Sequence, residues 1–162
     1  MFTSPQEVLD FIKSDEIVFV DIRFTDMPGV QQHFNLPAKA VDEDFFIHGQ
    51  LFDGSSIRGF QGIAESDMQL IPDIDVKSAY VDPFRLEKTL VIICSIVNPR
   101  TGEPYHRDPR GVAERAEAYL QSTGVADTAF FASEAEFFVF EDVRYQVEPN
   151  SVFYKIDSDE AY

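Results

Sequence analysis

The fold of the N-terminal part of the chain is decided by the stretch Thr89-Leu90-Val91-Ile92-Ile93-Cys94-Ser95-Ile96-Val97. This stretch is apolar on both faces, which is typical of a strand at the centre of a sheet. Cys94 is the only cysteine of the chain. No intrachain disulfide can therefore form, and we expect the thiol to behave as a buried small hydrophobe.

The segments on the N-terminal side of this strand predict the rest of a strand-rich module. Residues 17–24 are rich in β-branched and aromatic side chains, and the turn sequence Asp26-Met27-Pro28-Gly29 follows them. They are predicted to form a hairpin with residues 30–34. Residues 68–71 and 79–81 predict two further strands.

A helix is predicted before the first strand. Ser4-Pro5-Gln6-Glu7 resembles a capping box with proline at the first helical position, and the helix is expected to end near Ser14. Residues 36–49 mix a proline with a weakly helical acidic run and give no clear prediction.

The stretch Pro99-Arg100-Thr101-Gly102-Glu103-Pro104 interrupts this pattern and is the predicted boundary between domains 1–103 and 104–162. A second helix is predicted from Asp108-Pro109 to Gly124. Residues 129–132 and 135–140 are predicted as strands that begin a second sheet-containing unit. The fold class is therefore α+β.

The charge of the chain limits its partners. Thirteen basic and 29 acidic residues give a formal charge of −16, which disfavours binding to nucleic acid and to anionic membranes. The sequence shows no signal for export and no run of about 18 apolar residues that could span a membrane. With a single cysteine, a reducing cytoplasm is the expected location.

A loop that joins two apolar segments carries the first candidate site. Asp53 precedes Gly54, which permits a tight or positive-φ turn, and an ionised carboxylate there could attract ammonium or orient a nucleophile. Asp-Gly is also a frequent turn dipeptide, so Asp53 could simply cap a turn. Asp67, at the far end of the loop, is a weaker candidate, because a polar strand entry is a strong alternative for it.

Glu134 and Glu136 form the second candidate site. Two residues apart in a predicted strand, they would face the same side with their Cα atoms about 7 Å apart. Such carboxylates suit Mg²⁺ or Mn²⁺. Spacing alone favours a solvated face of an edge strand. The apolar residues 137–140 follow directly, however, and carboxylates near a packed core need compensating cations.

Other polar residues carry no assigned chemistry. Ser55 and Ser56 belong to no identifiable triad and are assigned to shaping the loop. His33, His48 and His106 lack the spacing of a metal cluster. The chain also lacks a Walker or Rossmann pattern, so an ATP site would have to come from elsewhere.

Three motifs together resemble type I glutamine synthetase, in its N-terminal portion. The first is Phe52-Asp53-Gly54-Ser55-Ser56 with Glu65-Ser66-Asp67 and an apolar Leu70 downstream. The others are Asp21-Ile22-Arg23-Phe24-Thr25-Asp26-Met27-Pro28-Gly29 and Ser133-Glu134-Ala135-Glu136-Phe137-Phe138. The resemblance covers nearly the whole chain. It implies a β-grasp-like N-terminal domain followed by the beginning of an incomplete α/β catalytic barrel domain.

The resemblance also implies a reaction: ATP-dependent ligation of ammonia to L-glutamate through γ-glutamyl phosphate. Asp53 would help to form the ammonium site at a subunit boundary, and Asp67 is a weaker catalytic candidate from the same motif. Glu134 and Glu136 would each hold one of two catalytic Mg²⁺ or Mn²⁺ ions. The sites for ATP and glutamate would lie mostly outside this chain.

Members of that family are longer and assemble as two stacked rings, a homododecamer. We therefore expect this chain to be an N-terminal piece that contacts neighbouring subunits and has no synthetase activity alone. Two alternatives stay open: a non-catalytic acidic interaction or regulatory fragment that docks onto a synthetase-like ring, and a related γ-glutamyl ligase that uses another amine.

Overall fold

The structure is a computed structural model that describes residues 2–73 and 79–160. The chain divides into two compact units, Met1–Thr128 and Ala129–Tyr162. The described residues of the first unit form three α-helices and six strands: α1 (Pro5–Ser14), β1 (Phe19–Thr25), β2 (Gln31–Pro37), α2 (Glu43–His48), β3 (Gln50–Asp53), β4 (Asp67–Pro72), β5 (Ala79–Val81), β6 (Thr89–Val97) and α3 (Pro109–Thr123). Those of the second unit form β7 (Asp142–Glu148) and β8 (Ser151–Asp157).

The six strands of the first unit form one sheet within the described residues. Strand β6 runs parallel to β1, and its other edge pairs antiparallel with β5 at residues 90–92 and with β4 at residues 94–97. Antiparallel partners β2 and β3 extend the sheet beyond β1 and β4. The prediction of a central strand at residues 89–97 is confirmed.

The hydrophobic core lies on one face of this sheet. It is formed by alternate residues of β1, β4 and β6 together with the buried sides of α1 and α2: Val8, Leu9, Ile12, Val20, Ile22, Phe45, Met68, Leu70, Leu90, Ile92, Cys94 and Ile96. Successive strand residues point to opposite faces. Asp21 and Arg23 of β1 therefore lie on the second face, away from α1 and α2.

Cys94 belongs to the apolar core, as expected from the sequence. Burial raises the pKa of its thiol to about 12, so the thiolate that reacts with electrophiles and metals is scarce at neutral pH. This cysteine therefore contributes packing rather than chemistry.

The predicted helices are confirmed, and their caps explain where they begin. The Ser4 hydroxyl accepts a hydrogen bond from the Glu7 amide at 3.3 Å, as an N-cap does. The Glu7 carboxylate reaches the Thr3 amide at 2.6 Å, one residue before the position in a standard capping box. Helix α3 is followed by Gly124 in the left-handed conformation. No helix in the described residues is long and apolar enough to span a membrane.

Asp108 ties the start of α3 to the end of β6. Its carboxylate accepts a hydrogen bond from the Arg110 amide at 3.0 Å and another from the Ile96 amide at 2.9 Å. The side chain is buried, and both of its oxygens have donors, so its charge is compensated. The domain boundary after residue 103 falls in the connection between β6 and α3 and stays a prediction.

The second unit differs from the sequence-based prediction. Residues 129–132 and 135–140 are not strands, so that prediction is wrong: in the described residues they pair with no neighbouring strand, and a strand needs such a partner. Instead, β7 and β8 form an antiparallel hairpin. This hairpin is absent from the prediction, although alternating apolar residues on both sides of Pro149-Asn150 are a typical hairpin signal.

Candidate functional site

Asp53 and Asp67 face each other across two paired strands. Asp53 ends β3, Asp67 begins β4, and the antiparallel register places them directly opposite one another. The preceding pair, Phe52 and Met68, points toward the core, so the two aspartates project from the opposite face, where both are exposed. Like charges directly opposite are unfavourable in a sheet. The pair is therefore a place where a bound cation would stabilise the structure.

The sequence reasoning missed this pairing because the two residues are separated by a loop at positions 54–66. The loop is closed at its base by a hydrogen bond from the Gly54 amide to the Ser66 carbonyl oxygen at 2.7 Å. Gly54 does not have a positive φ. Glycine is needed there for space, because a Cβ atom would lie 2.2 Å from the Met68 sulfur.

Ser55 holds the Asp53 carboxylate in its ionised form. Its amide and its hydroxyl both donate to Asp53 Oδ1, at 2.8 and 2.6 Å. These two bonds lower the pKa of Asp53 below its ordinary value, and the bond from the Ser55 hydroxyl contributes more than the bond from the Ser55 amide. The carboxylate is therefore negatively charged at neutral pH, and Ser55 shapes the loop as the sequence suggested.

We predict that Ser55→Ala raises the pKa of Asp53, because the stronger of these two bonds is lost while the amide bond remains. Stabilisation from a lowered carboxyl pKa is present at neutral pH and is lost as the pH falls through that pKa. An NMR titration of the Asp53 side-chain carbon measures the shift. Ser56→Ala is the matched control and should produce a smaller rise, since Ser56 makes the smallest contribution to lowering this pKa. Equal pKa values in wild type and Ser55→Ala would contradict the assignment.

A small cavity lies beside Asp67. It has a volume of about 230 Å³, and polar side chains from Glu65, Asn98 and Arg100 line it together with Asp67. Both signs of charge are present at its wall. The acidic end of the loop is thus accessible to a small polar molecule.

An ionic network around the buried Asp21, on the second face of the sheet, was also not predicted from the sequence. The Asp21 side chain is fully buried, and its carboxylate contacts Arg23 Nε at 2.8 Å and His33 Nδ1 at 2.8 Å. Arg23 also reaches Asp82 at 2.7 Å, and Arg85 lies 3.7 Å from Asp21. The Asp-x-Arg spacing in β1 was the available signal, because residues two apart share a strand face.

Glu134 and Glu136 lie in the irregular segment that leads to β7, and both are exposed. The shared strand face expected for them is absent, because residues 135–140 are not a strand. Among the residues described, no group of three or more His, Cys, Asp and Glu side chains is placed to hold a metal ion. Two carboxylates are suitable ligands for a hard divalent ion, but they make an incomplete set. The two glutamates therefore remain predicted metal ligands.

The arrangement of the first unit defines a class of domain. It is a mixed β-sheet in which the central strands β1 and β6 are parallel, with a loop between Asp53 and Asp67 at one end, as in a β-grasp domain. Residues 16–99 match the family model for the glutamine synthetase β-grasp domain, and residues 106–162 match that for the glutamine synthetase catalytic domain. This chain belongs to the glutamine synthetase family.

Two relatives support the assignment to this family. The chain is 58% identical over 159 residues to glutamine synthetase of Streptomyces coelicolor, covering 98% of this chain and 33% of the relative. It is 56% identical over 153 residues to glutamine synthetase of Azorhizobium caulinodans, covering 94% of this chain and 32% of the relative. The chain thus spans about a third of the length of these relatives. The alternative of a non-catalytic interaction fragment is not favoured.

A solved structure supports the fold. The cryo-EM structure of Plasmodium falciparum glutamine synthetase matches with a TM-score of 0.74, covering 98% of this chain and 30% of that chain. Its sequence identity is 21%, so this match speaks for the fold alone. The expected fold class, a β-grasp domain followed by an incomplete catalytic domain, is confirmed.

Proposed function

We propose that this chain supplies the ammonium-binding loop and two metal ligands of a synthetase that ligates ammonia to L-glutamate at the expense of ATP. The γ-carboxylate of glutamate would first be phosphorylated by ATP to γ-glutamyl phosphate. Ammonia would then displace the phosphate to form glutamine. The observation that carries the proposal is the opposed pair Asp53 and Asp67. Together with the family membership, this pair supports the proposal, because two neighbouring negative charges would attract a small cation.

In this proposal Asp53 binds ammonium and Asp67 assists. The lowered pKa of Asp53 supports this role, because a carboxylate that stays ionised at neutral pH attracts a cation. Both side chains are exposed in the described structure. The loop would therefore complete a site on a neighbouring subunit, in a ring of the dodecameric kind that the resemblance implies.

Glu134 and Glu136 would contribute oxygen ligands for Mg²⁺ or Mn²⁺. A bound divalent ion neutralises charge on the transferring phosphoryl group. The remaining ligands, and the residues that bind ATP and glutamate, would come from outside the described residues. A cytoplasmic location fits the need for ATP, and we expect the 162-residue chain alone to be inactive.

The proposal is tested with a chimera in which this chain replaces the corresponding N-terminal third of the Streptomyces coelicolor relative. We expect ammonium-dependent and glutamate-dependent release of phosphate from ATP, with ammonium preferred over methylamine as acceptor. The double variant Glu134→Gln/Glu136→Gln should need a Mn²⁺ concentration at least about tenfold higher than the unsubstituted chimera to reach its half-maximal rate, because two charged ligands are lost. Calorimetric titration with Mn²⁺ provides the binding constant independently.

Glu148→Gln is the matched control for metal binding, since Glu148 is an exposed acidic residue of β7 in the same unit. It should leave the Mn²⁺ requirement unchanged. A folded chimera without ammonium-dependent turnover would refute the proposed function. Equal Mn²⁺ requirements in the double variant and in Glu148→Gln would refute the metal assignment alone, and a preference for methylamine would favour the ligase that uses another amine.

A further inference from the structure

Arg107 reaches the middle of the loop between Asp53 and Asp67 from a distant part of the sequence. It lies in the connection between β6 and α3, and its Nη1 atom donates hydrogen bonds to the carbonyl oxygens of Gly59 at 2.9 Å and Phe60 at 3.0 Å. One guanidinium nitrogen therefore holds two consecutive carbonyl groups of the loop at positions 54–66. Hydrogen bonds from a charged donor are stronger than those between neutral groups.

These bonds are made to the middle of the loop, away from its base. Its base is closed by the bond between Gly54 and Ser66, but its middle turns at Gly59, which has a φ of 84°. Beside that turn, Phe60 is buried, and its ring lies 5.3 Å from the ring of Tyr105. The middle of the loop is thus held by apolar packing of Ile57 and Phe60 and by the polar contact with Arg107.

The backbone of Arg107 is fixed on both sides. Before it, the Tyr105 amide donates to the Ile96 carbonyl oxygen at 2.8 Å. After it, the Asp108 carboxylate accepts from the Ile96 amide at 2.9 Å. Tyr105, two residues before Arg107, and Asp108, directly after it, are therefore both bonded to Ile96 of the central strand β6. A side chain mounted on such a rigid base can hold a loop in one position.

We propose that Arg107 is a positioning residue for the ammonium-binding pair Asp53 and Asp67. The proposal rests on the proposed function of that pair. Arg107 lies in the range matched by the catalytic-domain model, whereas Gly59 and Phe60 lie in the range matched by the β-grasp model. Its two bonds therefore link the first residues matched by the catalytic-domain model to the loop that joins the two acids.

Electrostatics and positioning predict opposite effects for removal of this arginine. A positive charge near an ammonium site repels the ligand, so loss of charge alone would lower the KM for ammonium or leave it unchanged. Loss of the two carbonyl bonds would release the loop and raise that KM. The sign of the change therefore distinguishes a positioning residue from a nearby charge.

The first experiment is amide hydrogen exchange on the 162-residue chain. In Arg107→Met, which keeps much of the side-chain length but has no donor, we expect exchange in residues 54–66 to be about fivefold to thirtyfold faster. Exchange in β1 and β6 should be unchanged. Arg107→Lys should restore part of the protection, and Arg58→Met, an exposed arginine in the same loop, is the control for lost charge. Loop exchange in Arg107→Met equal to that in wild type would overturn the proposal.

The second experiment measures kinetics in the chimera. Arg107→Met should raise the KM for ammonium about tenfold, with kcat changed much less and the KM for glutamate unchanged. Asp53→Asn is assayed beside it. If Asp53→Asn impairs ammonium use and Arg107→Met does not, the positioning role is wrong and the proposed function stands. If Asp53→Asn has no effect, the proposed function is wrong, and hydrogen exchange still decides whether Arg107 holds the loop.

Discussion

Asp53→Asn is expected to lower kcat/KM for ammonium by at least about 100-fold in the chimera, within the range measured for loss of a positioned acid or base. Asparagine has nearly the same shape, and its side-chain oxygen can still accept the two bonds from Ser55 that hold the loop. The substitution therefore removes the charge while leaving the hydrogen-bonded turn in place. Initial rates at varied ammonium and saturating glutamate and ATP measure the effect.

The size of the loss should depend on position and not only on charge. Asp67→Asn should act in the same direction with a smaller effect, because no hydrogen bond comparable to those of Ser55 is described for its carboxylate. Asp44→Asn is the matched control, since Asp44 is an exposed aspartate of α2 in the same unit. If Asp53→Asn and Asp44→Asn give the same kcat/KM, the assignment of Asp53 to the ammonium site is wrong.

The elements that could be predicted from sequence are those defined by local patterns. Strand β6 has an apolar run long enough to be central, and α1 and α3 have capping residues at their first turns. These signals depend on neighbouring residues in the chain. They specify an element without information about its partners.

The features that were predicted wrongly or not predicted depend on partners distant in sequence. Residues 135–140 have strand composition, but strand formation requires a neighbour, and the described residues provide none. The contacts of Arg107 with the loop join residues 47 and 48 positions apart, which no local pattern encodes. The direct opposition of Asp53 and Asp67 likewise follows from strand register. The motif identified the acids, and the fold brought them together.

The ionic network around Asp21 carries the other large expected effect. Arg23→Met should lower the free energy of unfolding of the first unit by about 3 kcal/mol, the low end of the range for breaking a buried ion pair. The Asp21 side chain is fully buried, and Arg23 is 15% exposed. Loss of the guanidinium would leave a buried carboxylate with His33 at 2.8 Å and Arg85 at 3.7 Å. Urea unfolding followed by circular dichroism measures the change.

Two further variants identify the cause of that loss. Arg85→Met removes a cation that is 39% exposed and lies 3.7 Å from Asp21, so it should cost no more than about 1 kcal/mol. Adding Asp21→Asn to Arg23→Met should recover part of the stability, because the uncompensated buried charge disappears. If the double variant is instead less stable than Arg23→Met, packing and hydrogen bonds of Asp21 outweigh its charge. If Arg23→Met costs no more than Arg85→Met, the network does not stabilise the fold. The expected pattern would show that the second face of the sheet is held by compensation of one buried charge, whereas the opposite face is held by apolar packing.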